Sequence, residues 1–335
     1  MLRTSQRWIS GAPSSLPGEV LLLKVTGARR PTFRLEAAAD YRLRLLAGAR
    51  PFLWARIDDW WHGAWLVRAP APPDPLLPPL RAVDARAVQH DLQSPHWWRT
   101  WTLRAVDTLR ASAALLSNGL WCLGEVPVVP PSKAWGYPCV PVDYALEPAF
   151  PPAYVPAARG CLPFVEETWA GGDPTPAGAL LPLRDLGAED VGRVHAWRKH
   201  ARDGTLPPVL AVHLRLLGKY LILDGHVRLA AALEEGVTPP LLAAWPVREH
   251  ATPIPEAVRA HVWETLELPA SLPDARRVEV MNSALQAVFA PRVAYVHRPK
   301  AWPLRGGVAT WREEVGRRLR ELGLTRQEIA LALDP

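Results

Sequence analysis

The run at 20–25 (VLLLKV) is apolar, and residues 32–36, 41–45 and 64–68 alternate polar and apolar side chains. That alternation is the period of a half-buried strand, so residues 18–68 read as β-rich. Trp54, Trp60, Trp61 and Trp65 fall in the same stretch. Large rings suit the core of a small sheet, with an exposed aromatic platform as the rival reading. Six prolines between 69 and 79 then predict a stiff, extended connection.

A helix is expected at about 95–117, with Ser94 as its cap and Pro95 at its first position. Its stripe would be Trp98, Trp101 or Thr102, Ala105, Leu109 and Leu116, and Asn118-Gly119 would end it. Trp97, Trp98 and Trp101 fit a core or an interface between domains. Residues 126–182 are Pro-rich with little periodicity and read as an irregular excursion. Beyond 183 the pattern sharpens. A helix is expected at 188–202, with Val191, Val194, Trp197 and Ala201 on one side and Asp203-Gly204 as its stop. Strands follow at 208–214 and 219–223, then a helix at 227–235 ended by Gly236, then a strand at 241–245.

These segments divide the chain of 335 residues into a β-rich, Trp-rich region (1–80), a helix with a Pro-rich irregular segment (81–182), an α/β unit (183–250) and a basic helical segment (251–335). The fold class expected is mixed α/β, of the α+β kind. No apolar run approaches the ~18 residues of a membrane span. The N-terminal residues lack the apolar stretch of a signal peptide. Cys122, Cys139 and Cys161 form neither a disulfide framework nor a paired zinc motif, so a cytoplasmic chain without a metal site is expected. His195 and His200 lie five apart on a helix and face each other poorly, so they are not read as a metal pair.

Charge changes the picture in one place. Between Arg292 and Arg326 there are nine Arg or Lys and three Glu, a net of +6 that equals the net charge of the whole chain. Trp311, Val315, Leu319 and Leu322 make an apolar stripe there, with Arg317, Arg318 and Arg320 elsewhere. Thr310-Trp-Arg-Glu313 has the form of a capping box. Gly323 to Ala330 resembles the opening of a helix-turn-helix, with Thr325 capping the next helix. The arginines 317, 318 and 320 are therefore the candidate nucleic-acid contacts, against the plainer reading of an amphipathic helix packed on the body.

The stretch that carries chemistry is 220–236, Tyr-Leu-Ile-Leu-Asp-Gly-His-Val-Arg-Leu-Ala-Ala-Ala-Leu-Glu-Glu-Gly. It reads as a buried strand, a glycine turn and a helix with His226 and Arg228 in its first turn. Unpaired N–H groups and the helix dipole favour an anion at such a helix start. Gly225 would allow close approach, Arg228 a forked contact to phosphate, and His226 a hydrogen bond or a proton. The structural alternative is a plain turn, with Asp224 as a cap and Arg228 in an ion pair.

Asp224-Gly-His-Val-Arg228 resembles the ParB/sulfiredoxin superfamily, and most closely the Asp-Gly-His-Thr-Arg signature of its nucleotide-dependent free-serine kinases, with Val227 in place of threonine. Leu206-Pro-Pro-Val-Leu210 and Gly218-Lys-Tyr-Leu221 look like the hairpin that precedes that motif. The likeness covers about 183–247, a fifth of the chain. It implies a ParB/sulfiredoxin-like core and a nucleotide or phosphate site at Asp224, Gly225, His226 and Arg228, with a nucleoside di- or triphosphate and Mg²⁺ as ligand. The enzymatic form would be an NTP-dependent phosphotransferase or NTPase, with His226 as a catalytic group and Glu166 or Glu167 as a carboxylate base. His226 stands where sulfiredoxin has its reactive cysteine, which argues against sulfinic acid reduction. The alternative is a non-catalytic, DNA-associated or regulatory protein with a ParB-like fold, using the basic C-terminal segment.

Overall fold

The computed structural model describes residues 3–9, 19–27, 31, 33–57, 64–70, 76–86, 88, 93–112, 116–126, 180–182, 184, 186–217, 219–252, 256–257, 260, 273–289, 292–298 and 300–333. The alternating N-terminal segments form an antiparallel meander of β3 (Phe33–Ala38), β4 (Arg42–Ala47), β5 (Arg50–Ile57) and β6 (Ala64–Arg68). The short β13 (Trp302–Pro303) pairs in parallel with β3 and completes this sheet.

A second sheet runs in the order β1 (Arg3–Ile9), β2 (Val20–Thr26), β7 (Gly119–Glu125), β11 (Leu241–Thr252), β9 (Val209–Leu214), β10 (Lys219–Asp224) and β8 (Leu180–Leu181). Where β9 leaves β11, β12 (Arg292–His297) takes over the same edge, because Val247 pairs with Leu120 on one side and His297 on the other. The fold is thus mixed α/β. Strands from the β-rich N-terminal region pair, through β7, with those of the 183–250 unit, so the compositional segments share one sheet.

The two sheets pack face to face. Leu21, Leu23, Leu123, Val212 and Leu221 of the larger sheet meet Leu35, Leu43, Leu45, Leu53 and Leu66 of the meander in one buried cluster. The meander's other face is covered too. There α6 (Gly307–Glu321) and α7 (Arg326–Leu333) lay Trp311, Val315, Leu319, Ile329 and Ala332 against Trp54 and Val67. This explains why polar positions of β3–β5 are buried. Arg42 donates to the carbonyl of Leu333 (2.8 Å) and Arg56 to that of Ala332 (3.0 Å), satisfying the open C-terminal end of α7. Glu36, 2% exposed, accepts from Arg34 and Arg44, and Arg44 also reaches Glu314. Trp54 is core, with its indole N–H on Glu314 (2.7 Å). Trp60 and Trp61, and the Trp65 side chain, lie outside the described residues.

Several expected boundaries move. α2 (Pro95–Ala111) starts at Ser94, whose hydroxyl accepts from the Trp97 N–H (3.2 Å), but it stops before residue 117. Gly119, with φ +140°, opens β7 instead of ending the helix. The stripe of α2 is Trp97, Trp101, Thr102, Ala105, Val106 and Leu109, with Trp98 edge-on to Trp97. α6 begins after Gly306 (φ +81°), four residues earlier than the Thr310 box requires, so Thr310 lies within its first turns. The capping box is one helix later: the Thr325 hydroxyl and N–H contact Glu328, and the Glu328 N–H returns to Thr325. Leu322 is 44% exposed and leaves the apolar stripe, as does Val191 (66%) at the start of α3 (Val191–Arg202). The short α1 (Ala82–Arg86) and the long α5 (Asp274–Phe289) complete the described helices. Among the described residues, no helix is long and apolar enough to cross a membrane.

Candidate functional site

The 220–236 stretch folds as strand, turn and helix: β10 ends at Asp224, Gly225 turns the chain, and α4 runs His226–Glu234 before Gly236 (φ +66°). The Leu229 N–H closes the first turn onto the Gly225 carbonyl (2.8 Å). α3 packs Val194, Trp197 and Ala201 against Val227, Ala231 and Ala232, fixing α4 over the sheet. At the far end of α4, Glu235 accepts from Arg198 and Arg202 of α3. A bulge between Ile222 and Asp224 re-aims the strand end, so that Asp224 pairs with Leu210.

Arg228 does not extend toward a ligand, contrary to the sequence reading. Side chains on a helix lean toward its N-terminus, and here that direction leads back under the turn. The guanidinium is 2% exposed and donates through Nη2 to Asp224 Oδ2 (3.0 Å) and to the Pro208 carbonyl (2.9 Å). It also lies over the Trp197 ring, 5.8 Å from its centroid. Asp224 thereby supplies the negative charge that an arginine at a helix N-terminus needs, and neither side chain of this pair is placed to hold a phosphate.

Gly225 changes its role with Arg228. Its φ of +105° lies in the region that favours glycine, and a Cβ there would sit 2.9 Å from Arg228 Nη2 and 3.1 Å from Val209 Cα. The space that glycine leaves is filled from within by the guanidinium and is not an approach path for an anion.

His226, the first residue of α4, keeps a place at the helix start, where the N-cap, Gly225, has no side chain to cap the first turn. Burial pushes its imidazole down to about 4; Arg184 adds to that, Asp224 opposes it, and Arg228 and Arg68 contribute less. Arg184 reaches this place from outside the motif, held by two bonds to Asp190 (2.5 and 2.8 Å). Asp190, 2% exposed, is lowered to about 2, chiefly by Arg184 and also by the Gly187 N–H and Arg193, against its burial. Arg68, at the end of β6, donates to the Pro182 carbonyl (3.0 Å). Three guanidinium groups thus act on His226, and two of them are already paired, Arg184 with Asp190 and Arg228 with Asp224. The sequence reading missed Arg68 and Arg184, because neither belongs to a local motif and only tertiary packing brings them to residue 226.

The neutral imidazole makes a prediction. An unfolded histidine titrates near 6.5, and this one near 4. Between those values the unfolded chain holds a proton that the native state lacks, so stability is lost as pH falls from about 6.5 toward 4. Urea midpoints at pH 7 and pH 5 should differ more in the natural chain than in His226→Gln. Equal differences would show that the fold does not hold His226 neutral.

The remaining candidates separate. Glu166 and Glu167 lie outside the described residues. Arg318 turns inward, with Nε on the Arg68 carbonyl (2.8 Å) and Nη1 on Glu321, which removes it from the expected nucleic-acid contacts. Arg317 and Arg320 are exposed. Cys122 is buried in β7, and burial pushes its thiol far up. The His200 ring shares a hydrogen bond with the Thr205 hydroxyl at 2.8 Å and meets the Trp197 ring at a tilt of 51°. Among the described residues, no three His, Cys, Asp or Glu side chains gather as a metal site.

Comparisons with protein-family models, with well-described proteins and with solved structures find no match to this chain.

Proposed function

We propose that the chain binds a nucleotide or another phosphate-bearing small molecule over the start of α4, on a ParB/sulfiredoxin-like core. The observation that carries this reading is a helix start whose N-cap, Gly225, has no side chain to cap it, with Arg68, Arg184 and Arg228 acting on His226 and with Asp190 and Asp224 balancing Arg184 and Arg228. Backbone N–H groups of the first turn and the neutral imidazole would supply hydrogen bonds, and the guanidiniums would supply field more than direct contact. The strand–glycine–helix order, with β11 returning parallel to β9, supports the likeness to that superfamily. Mg²⁺ fits only as a passenger of the nucleotide, because the carboxylate at this place, Asp224, is already held by Arg228.

A melting-temperature screen of ATP, ADP and inorganic phosphate, with and without Mg²⁺, tests the reading. A ligand at 100 times its Kd adds about 2.7 kcal/mol of stability, and at least one phosphate compound should raise the melting temperature. His226→Glu, which sets a carboxylate at the helix start, should abolish the rise. Indifference of the natural chain to all three compounds would refute the reading.

The exposed Arg317 and Arg320 on one side of α6 favour a second reading, a DNA-associated protein. It requires a salt slope of roughly −0.9 log units per phosphate neutralised, and a shallower slope in Arg317→Ala/Arg320→Ala.

A further inference from the structure

The last turns of α6 and the edge of the meander enclose a groove of about 510 Å³, within the ~300–1,000 Å³ typical of small-molecule sites. A bulge makes it. Leu45 pairs with Leu53 and Leu46 with Pro51, which leaves Phe52 as the extra residue of β5 and opens the strand at that point. Pro51 lines the groove, Ala69 and Pro70 close the side where the chain leaves β6, and Phe52 and Trp54, each only 5% exposed, lie beneath.

The charges lining the groove are not equivalent. Glu314 is occupied by Arg44 and by the Trp54 indole N–H, and Glu321 is paired with Arg318. Arg318 is tied as well to the Arg68 carbonyl. Arg50 and Arg317 are exposed, line the same groove, and have no ion-pair or hydrogen-bond partner among the described residues. The carbonyls at the end of α6 are closed by the N–H groups of Leu322, Gly323 and Leu324, so they do not answer those two cations. Two uncompensated guanidiniums therefore flank a groove lined by Pro51, Ala69 and Pro70.

From this juxtaposition we infer a second ligand site, separate from the start of α4, for a small organic anion: a carboxylate or phosphate group carried on a flat apolar body. Arg50 and Arg317 would grip the anionic group as planar forks, and the apolar part would lie along Pro51, Ala69 and Pro70. Neither arginine supports the fold, so each can be removed without loss of structure.

The test uses the full chain and four probes: phenyl phosphate, benzoate, inorganic phosphate and benzyl alcohol, titrated by calorimetry. Phenyl phosphate and benzoate should bind at millimolar concentrations or better, and should bind more tightly than inorganic phosphate and benzyl alcohol. Arg50→Ala and Arg317→Ala should each weaken phenyl phosphate by about tenfold, the worth of one charge-assisted hydrogen bond, at an unchanged melting temperature. Arg320→Ala removes the same charge from the same helix outside the groove and should leave binding as it was. Fluorescence of Trp54 should respond to phenyl phosphate. No binding of either aromatic anion, equal binding by the arginine variants, or equal affinity for benzyl alcohol would overturn the inference. So would duplex DNA binding that falls alike in Arg317→Ala and Arg320→Ala while phenyl phosphate has no effect, which would assign the surface to nucleic acid. Failure of nucleotides to bind at α4 leaves each of these outcomes readable.

Discussion

Arg228→Ala should destabilise the protein by about 3–5 kcal/mol, the cost of breaking a buried ion pair by removing one partner. The variant leaves Asp224 without its counter-charge and the Pro208 carbonyl without its donor, and it empties the space over Trp197. The side chain is 2% exposed, so water cannot replace it cheaply. A double variant separates charge from packing. Arg228→Met with Asp224→Asn keeps much of the volume, removes both charges, and should recover most of the loss, because buried pairs often break even against apolar groups. The Arg228 Nε has no acceptor among the described residues, so the pair is not fully satisfied to begin with. Urea unfolding of the three chains measures the effect. A loss under about 1 kcal/mol in Arg228→Ala, within the range of an exposed ion pair, would show that the guanidinium is in water and that the inward geometry is wrong.

Trp311→Ala should cost a similar amount, about 3–5 kcal/mol for a buried aromatic truncated to alanine. Trp311 is 2% exposed, donates its indole N–H to the Leu43 carbonyl (2.9 Å), and carries the Arg42 guanidinium 5.5 Å from its ring. It is the central contact between α6 and the meander, so its loss should also loosen the hold of Arg42 and Arg56 on the end of α7. Trp311→Phe keeps most of the apolar area and should cost only the hydrogen bond and some packing, about 1–2 kcal/mol. Hydrogen exchange should rise over 307–333 in Trp311→Ala before it rises in β9–β11. Unchanged exchange in the C-terminal helices would mean that they are held some other way.

The legible parts of this fold were those with a local cause. Ser94-Pro95 announced a helix start, Thr325 capped α7 as its spacing implied, and Asp224-Gly225 marked the turn between a buried strand and α4. What was illegible depended on distant partners. The alternation of β4 marked a strand with one wet face, but that face is covered by helices more than 250 residues later in the chain, where Arg44 meets Glu314. Arg228 illustrates the same limit within four residues. Its position predicts proximity to a helix-bound anion, and also to Asp224 one turn earlier. The choice between them was made by Pro208 and Trp197, which close the inward space. Arg68 and Arg184 had no sequence signal at all. The Arg318 side chain, drawn from the solvent face of α6 onto the Arg68 carbonyl, shows why an arginine stripe does not define a nucleic-acid surface.

Backbone amide NMR reads directly whether an anion rests on the first turn of α4, as proposed. Titrating ATP or inorganic phosphate into ¹⁵N-labelled protein, against sodium chloride at equal ionic strength, should move the amides of His226, Val227 and Arg228 in a saturable way. Amides of β1, at the far edge of the larger sheet and away from both anion sites, should stay in place. Static amides at 226–228 throughout both titrations, or shifts that sodium chloride reproduces, would contradict the account.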